Sequence, residues 1–324
     1  MNVLVTGAAG RVGRLVVSRL LARGDAVVGF DAMASNRVHD LYRSVVADFS
    51  DEMALASACE GVDAVLHLGA LMSWLPEQQE KMFRANVDGT RHVLAAAARA
   101  GATRFVFASS GEVYPDRNPQ YLPIDENHPR KPLSPYGLSK VMGEDAVRFF
   151  ERVHDLPSVI LRFSHTQDAT ELLDEDSFFS GSRFYLHAKI KQQQGFGNDA
   201  LVGLLQTLDN GANKLVVSCN ESGRPHRMGI CDTRDTAAGV IRALDADRAP
   251  GETFNLAPPS ATSFDEAVEL LRPIKNLEVV RFNQPGADLN YESCGRKARE
   301  ILGFESEWSF RRMVADAAAR AGDR

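Results

Sequence analysis

Short apolar runs alternate with amphipathic runs along the first half of the chain. A β-rich run at 2–6 leads into a glycine-rich turn and then a helical pattern through Val16, Leu20 and Leu21. Further strands are predicted at 26–30, 45–47, 64–68 and 104–108, with helices at 53–59 and about 80–100. Strands that alternate with helices form a parallel sheet covered on both faces. The expected fold class is α/β, a Rossmann-like doubly wound parallel sheet.

The second half of the chain is less regular. Helices are predicted at 232–244 and 264–271, the second started by Ser263 with Glu266 as its capping-box partner. The stretch 164–198 resembles an insertion, and its Phe and Tyr residues supply too much apolar surface for a disordered segment. We interpret it as a lid or substrate wall; a subunit-contact loop is the alternative.

The glycine-rich turn has the spacing G-x-x-G-x-x-G at Gly7, Gly10 and Gly13. Between a strand and a helix, this spacing permits a tight turn, the approach of a diphosphate to the backbone and close packing of the helix. The second strand ends at Asp31, where a carboxylate hydrogen-bonds an adenosine ribose and repels a 2′-phosphate. NAD is therefore the expected cofactor, although Arg37 lies nearby and offers a partner for the phosphate of NADP.

No repeat or linker divides the chain, so we expect two interleaved regions. Residues 1–163 form the NAD-binding domain, and residues 164–324 form a smaller, mainly substrate-binding C-terminal region. A part of the latter, about 212–260, is expected to return to the first domain.

A tyrosine and a lysine, Tyr136 and Lys140, stand four residues apart at the start of a predicted helix. Residues at this spacing share one helix face, and a nearby cation lowers the pKa of a phenol. Tyr136 is thus a candidate general base toward a substrate hydroxyl, which is the chemistry of alcohol oxidation. A solvated helix face is the alternative interpretation.

Composition narrows the class of protein. The chain has 324 residues, 44% of them hydrophobic, and a net charge of -6, with no dominant basic stretch. We therefore expect neither a nucleic-acid nor a membrane partner. The four cysteines are scattered and form no CxxC pair, so we expect no metal site and a cytoplasmic location.

Several motifs occur together in one order: Thr6–Gly13, His67–Ala70, Asn86–Thr90, Ser109–Tyr114 and Tyr136–Lys140. As a set, they resemble the extended short-chain dehydrogenase/reductase family, in its NAD-dependent sugar epimerase/dehydratase group. Two later stretches, Phe254–Leu256 and Lys297–Phe304, resemble the same family's C-terminal signatures.

The resemblance implies roles for individual residues. The implied catalytic residues are Ser110, Tyr136, Lys140 and Glu112. The implied NAD-binding residues are Gly7, Ala9, Gly10, Arg11, Val12, Gly13, Asp31, Asp48, Phe49, Leu68, Gly69, Ala70, Asn86, Ser109, Tyr136 and Lys140. For the substrate we expect contacts from Ser73, Ser110, Gly111, Glu112, His165 and Arg183. Arg162 and His67 are expected to be structural.

Departures from the family pattern leave the reaction open. Glu112 stands where family dehydratases and decarboxylases carry an acid/base glutamate, but Gly111 replaces the aspartate of many hexose dehydratases. His165 and Met228 stand where nucleotide-sugar enzymes usually carry an asparagine and an arginine that contact the diphosphate, although Arg227 lies one residue from the second position. We expect an epimerase or oxidoreductase acting on a sugar or sugar derivative. We also expect a homodimer. A dehydrogenase that releases NADH, a dehydratase and a non-catalytic NAD sensor are the alternatives.

Overall fold

The computed structural model describes residues 1–286 and 288–322. Its strands are β1 (Asn2–Thr6), β2 (Ala26–Asp31), β3 (Tyr42–Val46), β4 (Ala64–His67), β5 (Arg104–Ser110), β6 (Ser158–Phe163), β7 (His165–Gln167), β8 (Lys214–Cys219), β9 (Arg227–Met228), β10 (Ile230–Asp232), β11 (Thr253–Leu256), β12 (Thr262–Ser263), β13 (Glu278–Asn283) and β14 (Asn290–Tyr291). Its α-helices are α1 (Gly13–Ala22), α2 (Glu52–Cys59), α3 (Gln79–Phe83), α4 (Gly89–Arg99), α5 (Pro135–His154), α6 (Gly181–Phe184), α7 (Leu186–Gly195), α8 (Asp199–Gln206), α9 (Thr233–Asp245), α10 (Phe264–Lys275), α11 (Arg296–Leu302) and α12 (Phe310–Gly322).

A seven-stranded parallel sheet in the order β3-β2-β1-β4-β5-β6-β11 forms the centre of the first region. Buried side chains of α1, α9 and α11 pack on one face of the sheet, and those of α2, α4 and α5 pack on the other. The middle residues of the inner strands are buried and apolar because both faces of the sheet are covered. The predicted doubly wound α/β fold is confirmed.

The second region has a separate apolar core. Side chains from α6, α10, α12 and β8 form this core, and β8 pairs in parallel with β13. Short strands complete the region, with β7 beside β10 and β9 between β12 and β14.

Within the range 212–260, the elements α9 and β11 belong to the first region. The strand β8 also falls within this range, and its partner strand β13 lies in the second region. The segment α11 also returns, and it packs against the sheet through Ala298 and Leu302.

Two local predictions need correction. The helix expected at about 80–100 is interrupted by a π-helical turn, Arg84–Asp88, between α3 and α4. The expected capping box of α10 does not form, because Ser263 makes no side-chain cap bond and donates its hydroxyl to Asp265 instead. None of the helices within the described ranges is long and apolar enough to cross a membrane.

Candidate active site

A long cleft lies at the carboxyl ends of the central strands, the position at which doubly wound folds bind their ligands. Its volume of about 1710 Å³ exceeds the roughly 300–1,000 Å³ of ordinary small-molecule pockets, so it has room for a dinucleotide and a second ligand. The predicted site residues that line it are Gly7, Ala9, Gly10, Arg11, Val12, Gly13, Asp31, Asp48, Phe49, Leu68, Gly69, Ala70, Ser109, Ser110, Gly111, Glu112, Tyr136, Lys140, His165 and Arg183.

The glycine-rich turn needs its glycines for steric reasons. Gly7 has a φ of 67°, and a Cβ there would lie 2.6 Å from the Cα of Gly69. A Cβ on Gly13 would lie 2.0 Å from the carbonyl oxygen of Gly7. The turn therefore folds closely on itself and leaves its backbone at the start of α1 open to a diphosphate.

Asp31 ends β2 on the rim of this cleft. One of its carboxylate oxygens accepts from the Ala9 amide at 2.9 Å and the other accepts from the Met33 amide at 2.9 Å. Arg37 is directed elsewhere, since it donates to the Ser18 hydroxyl at 2.8 Å. A carboxylate held beside the glycine turn, with no arginine among the described residues paired to it, fits the ribose diol of NAD and disfavours a 2′-phosphate.

His67 lies beneath the glycine turn, as expected of a structural residue. It is 1% exposed. Its Nδ1 hydrogen-bonds Thr6 Oγ1 at 2.7 Å and its Nε2 hydrogen-bonds Thr90 Oγ1 at 3.0 Å. Burial and the Lys140 charge lower its pKa to about 3, so the imidazole is neutral and ties β1, β4 and α4 together.

The catalytic candidates meet at the start of α5. Tyr136 and Lys140 are buried on one face of that helix, and Ser110, the last residue of β5, lies beside the Tyr136 phenol and acts to lower its pKa. The Lys140 ammonium donates to the Ala108 carbonyl at 2.7 Å and lies 5.8 Å from the centroid of the Tyr136 ring. Burial lowers the pKa of Lys140 to about 8.

The expected direction of the Tyr136 pKa was wrong. Burial first, and then the negative charge of Glu112, raise the pKa of this phenol above its ordinary value, and Ser110 lowers it by less. The reason is that Lys140 directs its ammonium to the Ala108 carbonyl and not to the phenol oxygen. At neutral pH the phenol is therefore protonated and suited to donate a proton.

Glu112 follows β5 and faces the same end of the cleft. Its Oε2 accepts from the Ser134 hydroxyl at 2.5 Å and from the Trp74 indole at 3.2 Å. Burial raises the pKa of Glu112 above its ordinary value. The two hydrogen bonds and the charge of Arg183 act in the opposite direction and do not cancel this effect. Ser134 also caps α5, since its hydroxyl accepts from the Gly137 amide at 2.9 Å. The capping residue of the tyrosine helix thus holds the carboxylate in place.

Gly111 has no room for a side chain. The Tyr291 hydroxyl donates to the Gly111 carbonyl at 2.9 Å, and a Cβ on Gly111 would lie 2.2 Å from that hydroxyl oxygen. Tyr291 comes from β14 and thereby closes the cleft from the second region. An aspartate at position 111 would not fit without movement of Tyr291.

A buried ion pair supports the end of β5 from below. The Arg162 guanidinium donates to both carboxylate oxygens of Glu144, at 2.9 and 2.8 Å, and to the Tyr114 hydroxyl at 2.5 Å. Glu144 also accepts from the Ser109 hydroxyl at 2.6 Å. The structural role expected of Arg162 is confirmed, and Glu144 is a partner that sequence inspection did not single out.

The stretch after β6 forms a wall of the cleft. Arg183 donates to Nδ1 of His165 at 3.1 Å and to the carbonyl of Phe179 at 2.6 Å. Phe178 stacks on Trp74 with a centroid distance of 5.7 Å. The substrate end of the cleft is therefore aromatic, and Arg183 and His165 are among the residues that line it. Burial lowers the pKa of Arg183 to about 10 and that of His165 well below its ordinary value.

Two expected site residues lie outside the cleft lining. Asn86 is 2% exposed and forms two 2.8 Å hydrogen bonds with the backbone of Leu71. Ser73 accepts from the Leu75 amide at 3.2 Å. Both residues therefore shape the loop after β4, and a direct ligand contact is not supported for either. The lining also contains residues that the site prediction did not include, among them Trp74, Ser134, Phe178, Gln192, Met228 and Tyr291.

The fold and the cleft define a dinucleotide-dependent enzyme of the Rossmann class. The chain belongs to the NAD dependent epimerase/dehydratase family, whose model matches residues 3–257. It is 50% identical, with a TM-score of 0.95, to a short-chain dehydrogenase/reductase superfamily protein from Agrobacterium tumefaciens crystallised with bound NAD, and the match covers 100% of this chain and 98% of that one. The predicted family, its enzymatic nature and NAD as the cofactor are thereby confirmed.

Curated relatives fall into two groups. UDP-glucose 4-epimerase of Streptococcus mutans is 25% identical over 98% of this chain and 96% of its own length. Uronate dehydrogenase of Pseudomonas syringae pv. tomato is 36% identical over 162 residues, which are 50% of this chain and 58% of that enzyme. Several other curated relatives are likewise matched over little more than half of their length, for example 55% and 53%.

Proposed function

We propose that this chain is an NAD-dependent oxidoreductase of the extended short-chain type that oxidises a carbinol of a sugar derivative. The observation that carries the proposal is the meeting of Ser110, Tyr136 and Glu112 at one end of the NAD-binding cleft. A non-catalytic NAD sensor has no need for a phenol, a hydroxyl and a carboxylate gathered at the same point.

Tyr136 exchanges the proton of the substrate hydroxyl, and the Ser110 hydroxyl beside it acts to lower the pKa of the phenol. NAD, when bound, supplies the nicotinamide carbon that accepts a hydride from the carbinol. Lys140 fixes the start of α5 against β5 through its bond to the Ala108 carbonyl. Because the pKa of Tyr136 is raised, removal of the hydroxyl proton should accelerate as the pH rises above neutral.

For the substrate we propose a sugar derivative with an anionic group, a sugar acid in the first place. Arg183 lines the cleft, and its hydrogen-bond partners in the described structure are His165 and a backbone carbonyl. A guanidinium matches the geometry of a carboxylate. Trp74 and Phe178 offer apolar faces beside it. A sugar acid also agrees with the sequence, because His165 and Met228 replace the residues that usually contact a diphosphate.

A nucleotide-sugar 4-epimerase is the second candidate. Its support is the match to UDP-glucose 4-epimerases along nearly the whole chain. A dehydratase is disfavoured, since Tyr291 fills the space that an aspartate at position 111 needs. Release of NADH would make the enzyme a dehydrogenase, and return of the hydride to the opposite face would make it an epimerase.

A ligand screen by thermal shift, with NAD present, tests the substrate class. We expect sugar acids to stabilise the protein more than UDP, dTDP or GDP do, and Arg183→Met to abolish that difference. Lys191→Met is the matched control, because Lys191 is an exposed cation on the same segment. Greater stabilisation by the nucleotide diphosphates than by sugar acids would favour the second candidate.

We also propose that the chain forms a homodimer through α5, in a reducing, cytoplasmic compartment. One face of α5 exposes Leu138, Met142, Phe149 and Val153, at 45%, 41%, 48% and 56% of their surface. Apolar side chains repeated at helical spacing are suited to pack on a second copy. Light scattering should give twice the chain mass, and Val153→Glu should reduce it to that of one chain. A single-chain mass for the unchanged protein would overturn this.

A further inference from the structure

Trp74 lies in the loop after β4 and lines the substrate end of the cleft. Its indole Nε1 donates to Oε2 of Glu112 at 3.2 Å. Its ring meets the Tyr136 ring edge-on with a centroid distance of 6.3 Å, and it stacks on the Phe178 ring at 5.7 Å. One side chain therefore lies beside the carboxylate, the phenol and the wall of the cleft.

The loop that carries Trp74 is fixed to the helix that carries Tyr136. Asn86 is 2% exposed and holds the amide and the carbonyl of Leu71, both at 2.8 Å. Its Nδ2 also donates to the Ser139 hydroxyl at 3.1 Å. Ser139 belongs to α5. The position of the indole relative to the phenol is thus set by buried hydrogen bonds between the two segments.

The indole N–H fixes one oxygen of the Glu112 carboxylate. Both hydrogen bonds that the described residues donate to this side chain, from the Ser134 hydroxyl and from the Trp74 indole, go to Oε2. Because Glu112 lines the cleft, Oε1 is the oxygen that remains for a substrate group. Two donors from different segments on one carboxylate oxygen restrict the rotation of the group.

Several charged or titratable groups surround Glu112. Burial is the largest cause that raises its pKa; Asp116 on the same loop acts in the same direction, and Arg183 of α6 acts in the opposite one. Besides burial, the Glu112 charge raises the pKa values of the Tyr136 and Tyr291 phenols. The orientation of this carboxylate therefore affects the proton-transfer group beside it.

We propose that Trp74 is a positioning residue of the active site. Its N–H, together with the Ser134 hydroxyl, holds Oε2 of Glu112 and leaves Oε1 to the substrate. Its ring supports the Tyr136 phenol and is covered by Phe178. The inference rests on the proposed function, in which Tyr136 and Glu112 act on the substrate.

The first test needs no substrate. The chain has two tryptophans, so Trp308→Phe leaves Trp74 as the single indole. A protonated carboxyl group quenches a neighbouring indole more than a carboxylate does. Emission should therefore change in one step as Glu112 titrates above 4.5, the ordinary pKa of a glutamate. Adding Glu112→Gln should abolish this step.

Asp116→Asn is the matched control for this titration. It should keep the step in Trp74 emission and move it to lower pH, because the repulsion of Glu112 by Asp116 is gone. A titration without a step, or a step that survives Glu112→Gln, would overturn the inference. The titration does not depend on turnover, so it can fail separately from the proposed function, which Tyr136→Phe tests.

The second test is turnover of Trp74→Phe, which keeps an aromatic ring and removes the N–H. Loss of a hydrogen bond to a charged group should lower turnover by about 10 to 100-fold and leave the dissociation constant of NADH unchanged. In a Glu112→Ala background the same change should cost no further turnover. Trp308→Phe is the control, since Trp308 packs against the core of the second region. Equal losses with and without Glu112 would show that Trp74 does not act through this carboxylate and would refute the proposal.

Discussion

Replacing Glu144 by glutamine should destabilise the chain strongly. Glu144 is 1% exposed and accepts hydrogen bonds from Ser109, from Arg130 and, twice, from Arg162. The Arg162 side chain is 7% exposed, so loss of the carboxylate leaves a buried charge without its counterion. Breaking a buried pair from one side costs about 3–5 kcal/mol.

The expected change in melting temperature follows from chain length. Unfolding entropy is about 2.1 cal/mol/K per residue, so 324 residues give a change of about 1.5 °C per kcal/mol and a total of about 4–7 °C. Asp145→Asn is the matched control. Asp145 is on the same helix and pairs with Arg130 at 2.8 Å, but it is 61% exposed. An exposed pair contributes at most about 1 kcal/mol, so its loss should stay within about 1.5 °C.

The pH dependence of stability gives a second test of the Glu144 ion pair. Arg162 and the other donors lower the pKa of Glu144 against the opposing effect of burial. Its contribution to stability is therefore complete above the ordinary value of 4.5 and is lost as the pH falls through the lowered folded-state pKa. Scanning calorimetry should show the gap between the unchanged protein and Glu144→Gln narrowing below about pH 4. A Glu144→Gln loss no larger than that of Asp145→Asn would refute the reasoning.

Two further substitutions test the preference for NAD over NADP and the role of Glu112 as a second acid/base. Asp31→Ala should narrow the preference for NAD over NADP, because the carboxylate that repels a 2′-phosphate is gone; unchanged ratios of the two dissociation constants by titration calorimetry would contradict this. Glu112→Gln should move the rising limb of NADH formation in a single turnover to lower pH, because the Glu112 charge raises the pKa of Tyr136. If Glu112 also moves a proton, overall turnover should fall by about 10² to 10⁴ while that single turnover survives. If Glu112→Gln shows the same pH profile as the unchanged protein and a turnover within a few-fold of it, Glu112 has only a structural role.

The sheet was predictable because its signals are local. Apolar strands, the glycine spacing and Asp31 lie close together in sequence, and each has one direct structural consequence. The second region was less predictable, since β8 finds its partner β13 about sixty residues later. Short strands with distant partners carry no periodic signal that identifies the pairing.

The site shows the same division between local and distant features. The helical spacing placed Tyr136 and Lys140 on one face, but the direction of the Lys140 ammonium depends on the Ala108 carbonyl of another strand. Tyr291 at Gly111 is a contact across 180 residues, and sequence pattern gave no sign of it. Ser134 was accessible to sequence reasoning, because a serine before Pro-Tyr at a helix start is a capping signal.

The central claim, that Tyr136 carries out proton transfer in an NAD-dependent oxidation, is tested most directly by Tyr136→Phe. The measurement is turnover of the sugar derivative identified by the ligand screen, together with the dissociation constant of NADH. Tyr121→Phe is the control, since Tyr121 is an exposed phenol bonded to Asp125 at 2.8 Å. We predict unchanged NADH binding and a turnover lower by about 10² to 10⁴ for Tyr136→Phe. Turnover of Tyr136→Phe within a few-fold of Tyr121→Phe would contradict the account.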